Sequence, residues 1–418
     1  MDDAEGIRGH LMSFNNKEVL KGINVADFTW VVVGPLTTRY LAAFGATVVK
    51  IESMRRPDLL RTSRPFKDKK PGVDRSGYFA IHNANKYSIG LNLNHPDGKK
   101  VAEKLIAWAD IVVENFVPGM MEKWGLSYEE IKKIRPDVIM LRTSNQGQTG
   151  PLSQQPGLGP HLVGLSGFSY YSGWPDRDPI GFGMAYTDMI TPPFGVAALV
   201  AALDYRRRTG KGQSLDISQM ETAIHFLSPQ IFDYTVNDRI GNRMGNGSAD
   251  AAPHGAFPCC DEDRWCVIAI FTDAQWNSFC QIVDQPWTRD AKFSTLLNRK
   301  RNEDELEKLV SAWTVNFSAG ELMSLLQKAD IPAGIVQSNQ EVLNDPQLRH
   351  RNSFWTLEHK VIGSYAHLGQ PFTLSKTPAM PKTPAPCVGE HTEYVCRELL
   401  GMSESECDQL LISGAFDF

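Results

Sequence analysis

The sequence predicts an α/β protein whose larger part is a Rossmann-like parallel sheet. Apolar runs at Val25–Phe28 and Val48–Ile51 are typical of buried strands, and a helix-like segment from Gly34 to Phe44 lies between them. Pro35 supports this helix start, because proline at the first helical position loses no hydrogen bond. Strand, helix and strand within 27 residues form a right-handed parallel unit, so ligands are expected at the carboxyl ends of the strands.

The alternation of helix and strand continues along the chain. Gly98–Trp108 has helical periodicity and Asp110–Glu114 has a strand pattern. A helical stretch at Ser127–Ile134 then precedes a further strand at Val138–Arg142, which extends the parallel sheet. No Gly-x-Gly-x-x-Gly stands between the first strand and the first helix, so a nicotinamide-dependent dehydrogenase loses its main sequence support.

Length and composition limit the classes of function. A chain of 418 residues favours two domains. The net charge of -5 argues against a nucleic-acid partner, because no Lys/Arg excess is available to neutralise phosphates. The first six residues, MDDAEG, include three acidic residues and no apolar stretch of the kind found in signal peptides, and the apolar run near Val196–Leu203 is too short to span a membrane. We therefore expect a soluble cytoplasmic protein with no membrane partner.

The cysteines give no sign of a disulfide framework or a metal site. All seven follow residue 258, their number is odd, and no Cys-x-x-Cys pair occurs. Cys259, Cys260 and Cys266 lie near His254, but adjacent cysteines rarely suit tetrahedral zinc ligation. We expect reduced thiols and no metal.

Several stretches resemble the family III CoA-transferases, also called the CaiB/BaiF family, which include formyl-CoA transferase and the alpha-methylacyl-CoA racemases. They are LKGINVADFT at 20–29, GP at 34–35, LAAFGATVVKIE at 41–52, NANKYS at 83–88, ENFVPG at 114–119, GFGMAYTD at 181–188 and RRRTGKGQ at 206–213. The similarity extends over about residues 18–400 and includes segments of a small domain at Ala252–Pro258 and Trp265–Ile270. The opening motif is long enough to be specific.

The resemblance implies a large Rossmann-like CoA-binding domain and a smaller α/β domain. The predicted limits are 1–220 for the first part of the large domain, 221–250 for a linker, 251–330 for the small domain, 331–385 for a returning linker and 386–418 for the last part of the large domain. Members of the family form interlocked dimers. The partner is expected to be a second copy or a paralogous subunit.

Asp188 is the candidate catalytic residue. A carboxylate between a Gly-rich, strand-like run and a helix start is most often a capping aspartate, because its oxygens satisfy free backbone N–H groups. The resemblance implies instead that Asp188 becomes acylated. CoA would then pass from an acyl-CoA donor, such as succinyl-CoA, to a free carboxylic acid through an aspartyl anhydride and an aspartyl-CoA thioester. Coenzyme A enters as a substrate, and no metal is implied.

Ten residues are implied to bind the CoA part of the substrate. They are Trp30, Val31, Val32 and Val33 in one apolar loop, Lys50, Asn83, Asn85 and Lys86, and Asn115 and Phe116 of the ENFVPG motif. The loop can offer only backbone N–H groups to an acyl oxygen, and Lys86 is the main phosphate candidate, with Arg61 weaker. The simpler alternatives are a buried helix start for the loop and a solvated surface lysine. Val117 replaces an arginine common in the family, which puts one phosphate contact in doubt.

The acceptor acid is expected to meet a glycine-rich loop, Gly245, Asn246 and Gly247, together with Trp174 and Arg177. Aromatic residues at 168–174 predict a pocket for a bulky or aromatic acid, although plain core packing explains them equally simply. Arg177 would take a second carboxylate. Aromatic dicarboxylic acids such as arylsuccinates are the predicted acceptors, and a benzylsuccinate CoA-transferase-type subunit is one form of this hypothesis.

Two alternatives to the transferase stay open. A racemase needs a second group opposite the aspartate, but Leu158 stands where racemases have histidine, His161 lies three residues later, and Gly159 replaces the usual aspartate. His391 is more simply a turn residue than a base. The other alternative is a CoA-binding subunit that is active only with a paralogue.

Overall fold

The computed structural model describes residues 18–418. The strands are β1 (Asn24–Asp27), β2 (Thr47–Glu52), β3 (Tyr87–Gly90), β4 (Ile111–Glu114), β5 (Ile139–Ser144), β6 (Ser214–Ser218), β7 (His254–Pro258), β8 (Trp265–Ala269), β9 (Ala333–Ile335), β10 (Phe354–His359) and β11 (Gly363–Leu368). The predicted acidic start and the first 17 residues of the predicted large domain lie outside the described residues.

The helices alternate with these strands in the first half of the chain and dominate the second. They are α1 (Val33–Ala43), α2 (Gly77–Asn83), α3 (Pro96–Trp108), α4 (Met120–Lys123), α5 (Tyr128–Ile134), α6 (Gly159–Leu165), α7 (Phe168–Tyr171), α8 (Tyr186–Ile190), α9 (Pro192–Thr209), α10 (Gln219–His225), α11 (Ser228–Asn237), α12 (Asp273–Val283), α13 (Leu296–Arg301), α14 (Glu303–Thr314), α15 (Ala319–Gln327), α16 (Asn339–Asn344), α17 (Pro346–His350), α18 (Thr392–Tyr394) and α19 (Glu404–Ser413). The Gly-rich run before Asp188, interpreted from sequence as strand-like, forms no strand.

The chain divides into two compact units. One holds the described residues up to Phe168, Gly181–Asp238 and His350–Phe418, and the other holds Ser169–Ile180 and Arg239–Arg349. Compact packing does not by itself define independently folding domains, so the predicted domain limits stay a prediction.

The first unit is built on a six-stranded parallel sheet in the order β3-β2-β1-β4-β5-β6. Strands β1, β2, β4 and β5 are buried on both faces, as the apolar runs predicted, whereas the edge strand β6 is partly exposed. Alternate residues of each strand face opposite layers. Val25 packs with Leu41 of α1 and Leu199 of α9, whereas its neighbour Ala26 packs with Leu105 of α3 and Val395 near the chain end. Helices therefore cover both faces, and the predicted α/β fold with a parallel sheet is confirmed.

The second unit has a three-stranded antiparallel sheet in the order β7-β8-β9. Phe257 and Ile268 of the sheet pack on Phe279 of α12, Leu306 of α14 and Leu322 of α15. This unit is the smaller α/β part that the sequence predicted.

One continuous segment, Tyr186–Thr209, is long and apolar enough to cross a membrane by length and composition alone. About two fifths of its apolar window, 39%, is buried inside the protein, and core helices of other proteins pass the same test.

Candidate active site

Asp188 lies in the first turn of α8 and is only 6% exposed. Its carboxylate accepts no hydrogen bond from the described residues, and the helix has no side-chain cap, so a capping role does not account for this carboxylate. Burial without a compensating donor disfavours the charged form and raises the pKa of Asp188 to about 7. The pKa of Tyr78 on α2 is also raised, first by burial and then by the negative charge of Asp188.

The loop from Trp30 to Val33 is held from both sides. The Asn115 side chain accepts from the Trp30 N–H and donates to the Trp30 carbonyl, both at 2.8 Å. The Val31 N–H donates to Asp58 Oδ1 at 3.0 Å, and Val31 adopts a φ of 64°. A β-branched residue in the left-handed region is strained and persists only where its surroundings hold it.

Two N–H groups of this loop remain available. Within the described chain, the N–H groups of Val32 and Val33 donate to no other residue, although both side chains are buried. They lie at the start of α1, where N–H groups lack helical partners. The loop is therefore chemically able to offer backbone donors to an oxygen anion.

Lys86 and Lys50, the predicted phosphate ligands, are fully buried beneath this loop. Lys86 Nζ lies 3.0 Å from Asp27 Oδ2 and 2.8 Å from Asn83 Oδ1, and Lys50 Nζ lies 3.2 Å from Asp58 Oδ2. A phosphate contact would require either ammonium group to leave these partners.

Burial acts differently on the two lysine charges. Burial lowers the pKa of Lys86 to about 8, and the negative charge of Asp27 only partly opposes this effect. Burial also acts to lower the pKa of Lys50, but the negative charges of Asp58 and Asp27 outweigh it and hold the pKa above its usual value. Lys50 Nζ also donates to the Thr29 carbonyl at 2.5 Å. Both lysines thus support the strand end from which the loop starts.

Asn85, the second asparagine of the motif at 83–88, has different partners from Asn83. Asn85 accepts from the N–H groups of Lys382 and Thr383 and donates to the Met380 carbonyl, so it ties down the returning chain. Arg61, the weaker phosphate candidate, is likewise buried and pairs with Glu52 and Asp74 at 2.7 Å.

A cavity of about 260 Å³ opens at the carboxyl ends of β1, β2 and β4, where ligands of such sheets bind. Its wall is aromatic, because the Trp30 and Phe116 rings meet edge to face at 5.7 Å and Phe116 meets Trp124 at 5.3 Å. The Arg56 guanidinium lies 5.6 Å from the centre of the Trp30 ring. Val117 lines the same cavity.

This cavity is also lined by four residues that were not predicted from the sequence: Arg56, Trp124, Asn92 and Asn94. Arg56 and the two asparagines each follow a strand of the parallel sheet by two to four residues, so the strand-end rule points to them. Trp124 follows a short helix and carries no such signal.

In the second unit the glycine-rich loop and Trp174 lie together. The Gly245 N–H donates to the Gly173 carbonyl at 2.8 Å, and the Trp174 ring packs so closely that a Cβ on Gly245 would lie 3.1 Å from it. Gly245, Asn246 and Gly247 also line a cavity of about 540 Å³ beside β7 and β8. Arg177 lies outside this cavity, is exposed, and approaches Asp176 at 3.8 Å.

The histidines considered as bases have other partners. His161 Nδ1 accepts from the Leu158 N–H at 3.2 Å on α6, and the Leu158 side chain is half exposed. His391 Nδ1 accepts from the Ser88 N–H at 3.3 Å, its ring meets Tyr87, and burial lowers its pKa. Within residues 18–418 no group of His, Cys, Asp and Glu side chains is arranged to hold a metal.

A parallel sheet with a cavity at its strand ends and a buried carboxylate is typical of Rossmann-like α/β enzymes. The sequence profile of CoA-transferase family III matches residues 20–392. The mouse (Mus musculus) protein named succinyl-CoA:glutarate CoA-transferase is 32% identical over 95% of this chain and 90% of its own length.

Two further comparisons point to the same family. The succinyl-CoA--L-malate CoA-transferase alpha subunit of Chloroflexus aurantiacus is 31% identical over 94% of this chain and 91% of that subunit. The crystal structure of a CAIB/BAIF family protein from Brucella suis matches with a TM-score of 0.84 and 28% identity, over 92% of this chain and 100% of that one. The chain belongs to CoA-transferase family III and is an enzyme of that family.

Proposed function

We propose that this enzyme transfers CoA from an acyl-CoA donor, such as succinyl-CoA, to a free carboxylic acid through covalent intermediates on Asp188. The observation that carries the proposal is a buried carboxylate that accepts no hydrogen bond from the described residues. A largely buried carboxylate that accepts no hydrogen bond is more basic, and therefore more nucleophilic, than a solvated one.

The reaction balances without any other cofactor. Asp188 attacks the donor thioester, and the C–S bond breaks to give a mixed anhydride and the CoA thiolate. The thiolate then attacks the aspartyl carbonyl, which releases the donor acid and leaves an aspartyl-CoA thioester. The acceptor carboxylate attacks this thioester to form a second anhydride, and the returning thiolate takes its acyl group and frees Asp188.

The cavity at the strand ends is the proposed site for the nucleotide end of CoA. Trp30, Phe116 and Trp124 offer aromatic faces to an adenine ring, and Arg56 offers a cation to a phosphate. The Val32 and Val33 N–H groups are the proposed donors to the oxyanion that develops when Asp188 attacks the thioester. The buried Lys50 and Lys86 then act as supports of this loop.

The acceptor is proposed to be a dicarboxylic acid. The relatives compared above are named for glutarate and L-malate, both of which are dicarboxylates. Arg177, which is exposed, is a candidate partner for the second carboxylate, and the Trp174 ring beside the glycine-rich loop supports the expectation that aromatic examples are accepted.

The test is an assay of the purified chain with succinyl-CoA and a panel of free aliphatic and aromatic acids, read by mass spectrometry. We expect acid-dependent formation of new acyl-CoA, loss of at least about 10³ of the rate in Asp188→Ala, and trapping of Asp188 as a hydroxamate by hydroxylamine. Asp304→Ala, at an exposed carboxylate in the first turn of α14, serves as the matched control and should keep its rate.

Three results would contradict the proposal. Near-normal turnover by Asp188→Ala would remove the covalent mechanism. Exchange of the alpha hydrogen with deuterated solvent in the absence of acceptor acid would favour a racemase. Activity that appears only after addition of a paralogous chain would favour the subunit alternative, in line with a relative that is named as an alpha subunit.

A further inference from the structure

Gly159, the first residue of α6, lies directly against the carboxyl group of Asp188. A Cβ at position 159 would lie 2.9 Å from Cγ and Oδ1 of Asp188 and 2.5 Å from the Cβ of Ala185. These distances are shorter than packed carbon and oxygen atoms tolerate. The Asp188 carboxyl therefore occupies the space that a side chain at residue 159 would fill.

The requirement for glycine here is steric. The backbone of Gly159 lies outside the left-handed region, so other residues could adopt its conformation. Its surroundings cannot easily yield, because Ala185 Cβ is fixed to the backbone and Thr187 Oγ1 donates to the Gly159 carbonyl at 3.4 Å. Gly159, Thr187 and Asp188 are all buried.

We propose that Gly159 is a positioning residue whose missing side chain forms the niche that holds the Asp188 carboxyl largely buried and in position to react. The catalytic consequence rests on the proposed role of Asp188 as nucleophile. A side chain at residue 159 would push the carboxyl out of the niche toward water. Displacement of a reacting group by about 1 Å can cost about 10² in rate.

Burial alone accounts for the raised pKa of Asp188, so that pKa reports on the niche. Titratable groups on the elements around α8 are His161 on α6, Arg39 and Tyr40 on α1, Tyr78 and His82 on α2, Asp204, Tyr205, Arg206, Arg207 and Arg208 on α9, and Glu221 and His225 on α10. Of these, Tyr78 has a pKa that responds to the charge of Asp188.

The test compares Gly159→Ala with Gly164→Ala, which lies on the same helix and would place its Cβ in open space. The urea-unfolding midpoint is measured at pH 5 and pH 8, with and without Asp188→Asn. A carboxyl whose pKa is raised in the folded protein binds its proton more tightly there than in the unfolded chain. The free energy of unfolding therefore falls as the pH rises from about 4 to about 7.

Removing that carboxyl should stabilise the protein more at pH 8 than at pH 5. We expect this pH-dependent gain from Asp188→Asn in the wild-type and Gly164→Ala backgrounds, and a much smaller gain in the Gly159→Ala background. This measurement does not depend on the chemical role of Asp188. It therefore separates failure of the niche from failure of the proposed mechanism.

Steady-state kinetics provide the second measurement. Gly159→Ala should lose at least about tenfold in kcat, and the pH midpoint of kcat/KM should fall by about one unit, while Gly164→Ala stays within about twofold of wild type. If Gly159→Ala does not fold, Gly159→Ala combined with Ala185→Gly removes the closest clash and keeps the contact with Asp188. An undiminished pH-dependent gain in the Gly159→Ala background, or in this double variant, would overturn the inference.

Discussion

The acid–base properties of Asp188 are set by the residues that surround it in the fold. The sequence placed this carboxylate at a helix start, where capping is the commonest role, and the structure gives its oxygens no donor among the described residues. Burial then raises its pKa to about 7, well above that of a solvated aspartate. Local spacing could locate the residue, but its burial depends on α6, α10 and the other helices that contact α8.

The raised pKa predicts a pH dependence of activity. Asp188 must be ionised to attack a thioester, so kcat/KM should rise with pH to a plateau with a midpoint near pH 7 and fall about tenfold per pH unit below it. Initial rates between pH 5 and pH 9, with an acceptor acid that stays ionised throughout, measure this profile. A midpoint near pH 4 would mean that the carboxyl is solvated in the free enzyme.

The lysines show the limit of sequence reasoning at the residue scale. A lysine in a family motif suggests a phosphate ligand, but the partner that buries Lys86 is Asp27, which lies 59 residues earlier in the chain. Pairing across that distance depends on the order of strands in the sheet and has no local signal. The same holds for Asn115, whose amide contacts the backbone of Trp30 across 85 residues.

At the scale of elements, the loop from Trp30 to Val33 depends on parts of the chain that meet only in the folded sheet. Asn115 follows β4, and Asp58 follows β2, and both strands pair with β1 in parallel register. The carboxyl ends of all three strands therefore meet at one edge. The strand-end rule predicted this edge as the ligand site, although the individual hydrogen bonds could not be predicted from the sequence.

Asn115→Ala should loosen this loop and weaken the use of acyl-CoA. The Trp30 N–H and carbonyl lose both hydrogen bonds, which we expect to cost about 1–3 kcal/mol of unfolding free energy. The KM for acyl-CoA should rise about tenfold or more, with little change in the KM for the acceptor acid. Steady-state kinetics and urea unfolding measure the two effects.

Asn344→Ala provides the control for that prediction, because the hydrogen bonds of the Asn344 side chain, to Gln340 of its own helix and to Arg349, are exposed at the surface. It should leave both KM values unchanged. If Asn115→Ala behaves in the same way, the hydrogen bonds to Trp30 do not position the loop.

At the scale of the whole molecule, four strands of the parallel sheet, β1, β2, β4 and β5, were predictable because they are short apolar runs separated by helical segments. The two edge strands, β3 and β6, were not predicted, and β6 is partly exposed and carries polar residues. The segment Ser169–Ile180 was not expected to pack with Arg239–Arg349, because about 60 residues of the other unit lie between them in the chain. Hydrogen bonds from the Arg243 guanidinium to the Tyr170 and Trp174 carbonyls, at 3.1 and 3.3 Å, make this connection. No periodicity of the sequence indicates such long-range contacts.

The interlocked dimer remains a prediction, and the surface of the first unit supports it. In the described chain α11 has no buried residue, although it carries large apolar side chains. Further exposed apolar residues lie on α9, on α10 and just after α10. The exposed side chains are Phe194, Val200, Ile224, Phe226, Ile231, Phe232, Tyr234 and Val236. Exposed large apolar residues in this number are typical of a subunit interface.

Phe232→Glu should therefore weaken self-association, because Phe232 is 65% exposed in the single chain and a charge there would be buried without a partner in a dimer. Sedimentation velocity at micromolar concentration should give a dimer for the wild type and a larger monomer fraction for Phe232→Glu. Ile412→Glu is the control, since Ile412 is 85% exposed on α19, away from this surface in the chain order. It should sediment like the wild type. A wild-type chain that sediments as a compact monomer would contradict the interlocked dimer, whereas equal dissociation of the two variants would show that α11 does not form the interface.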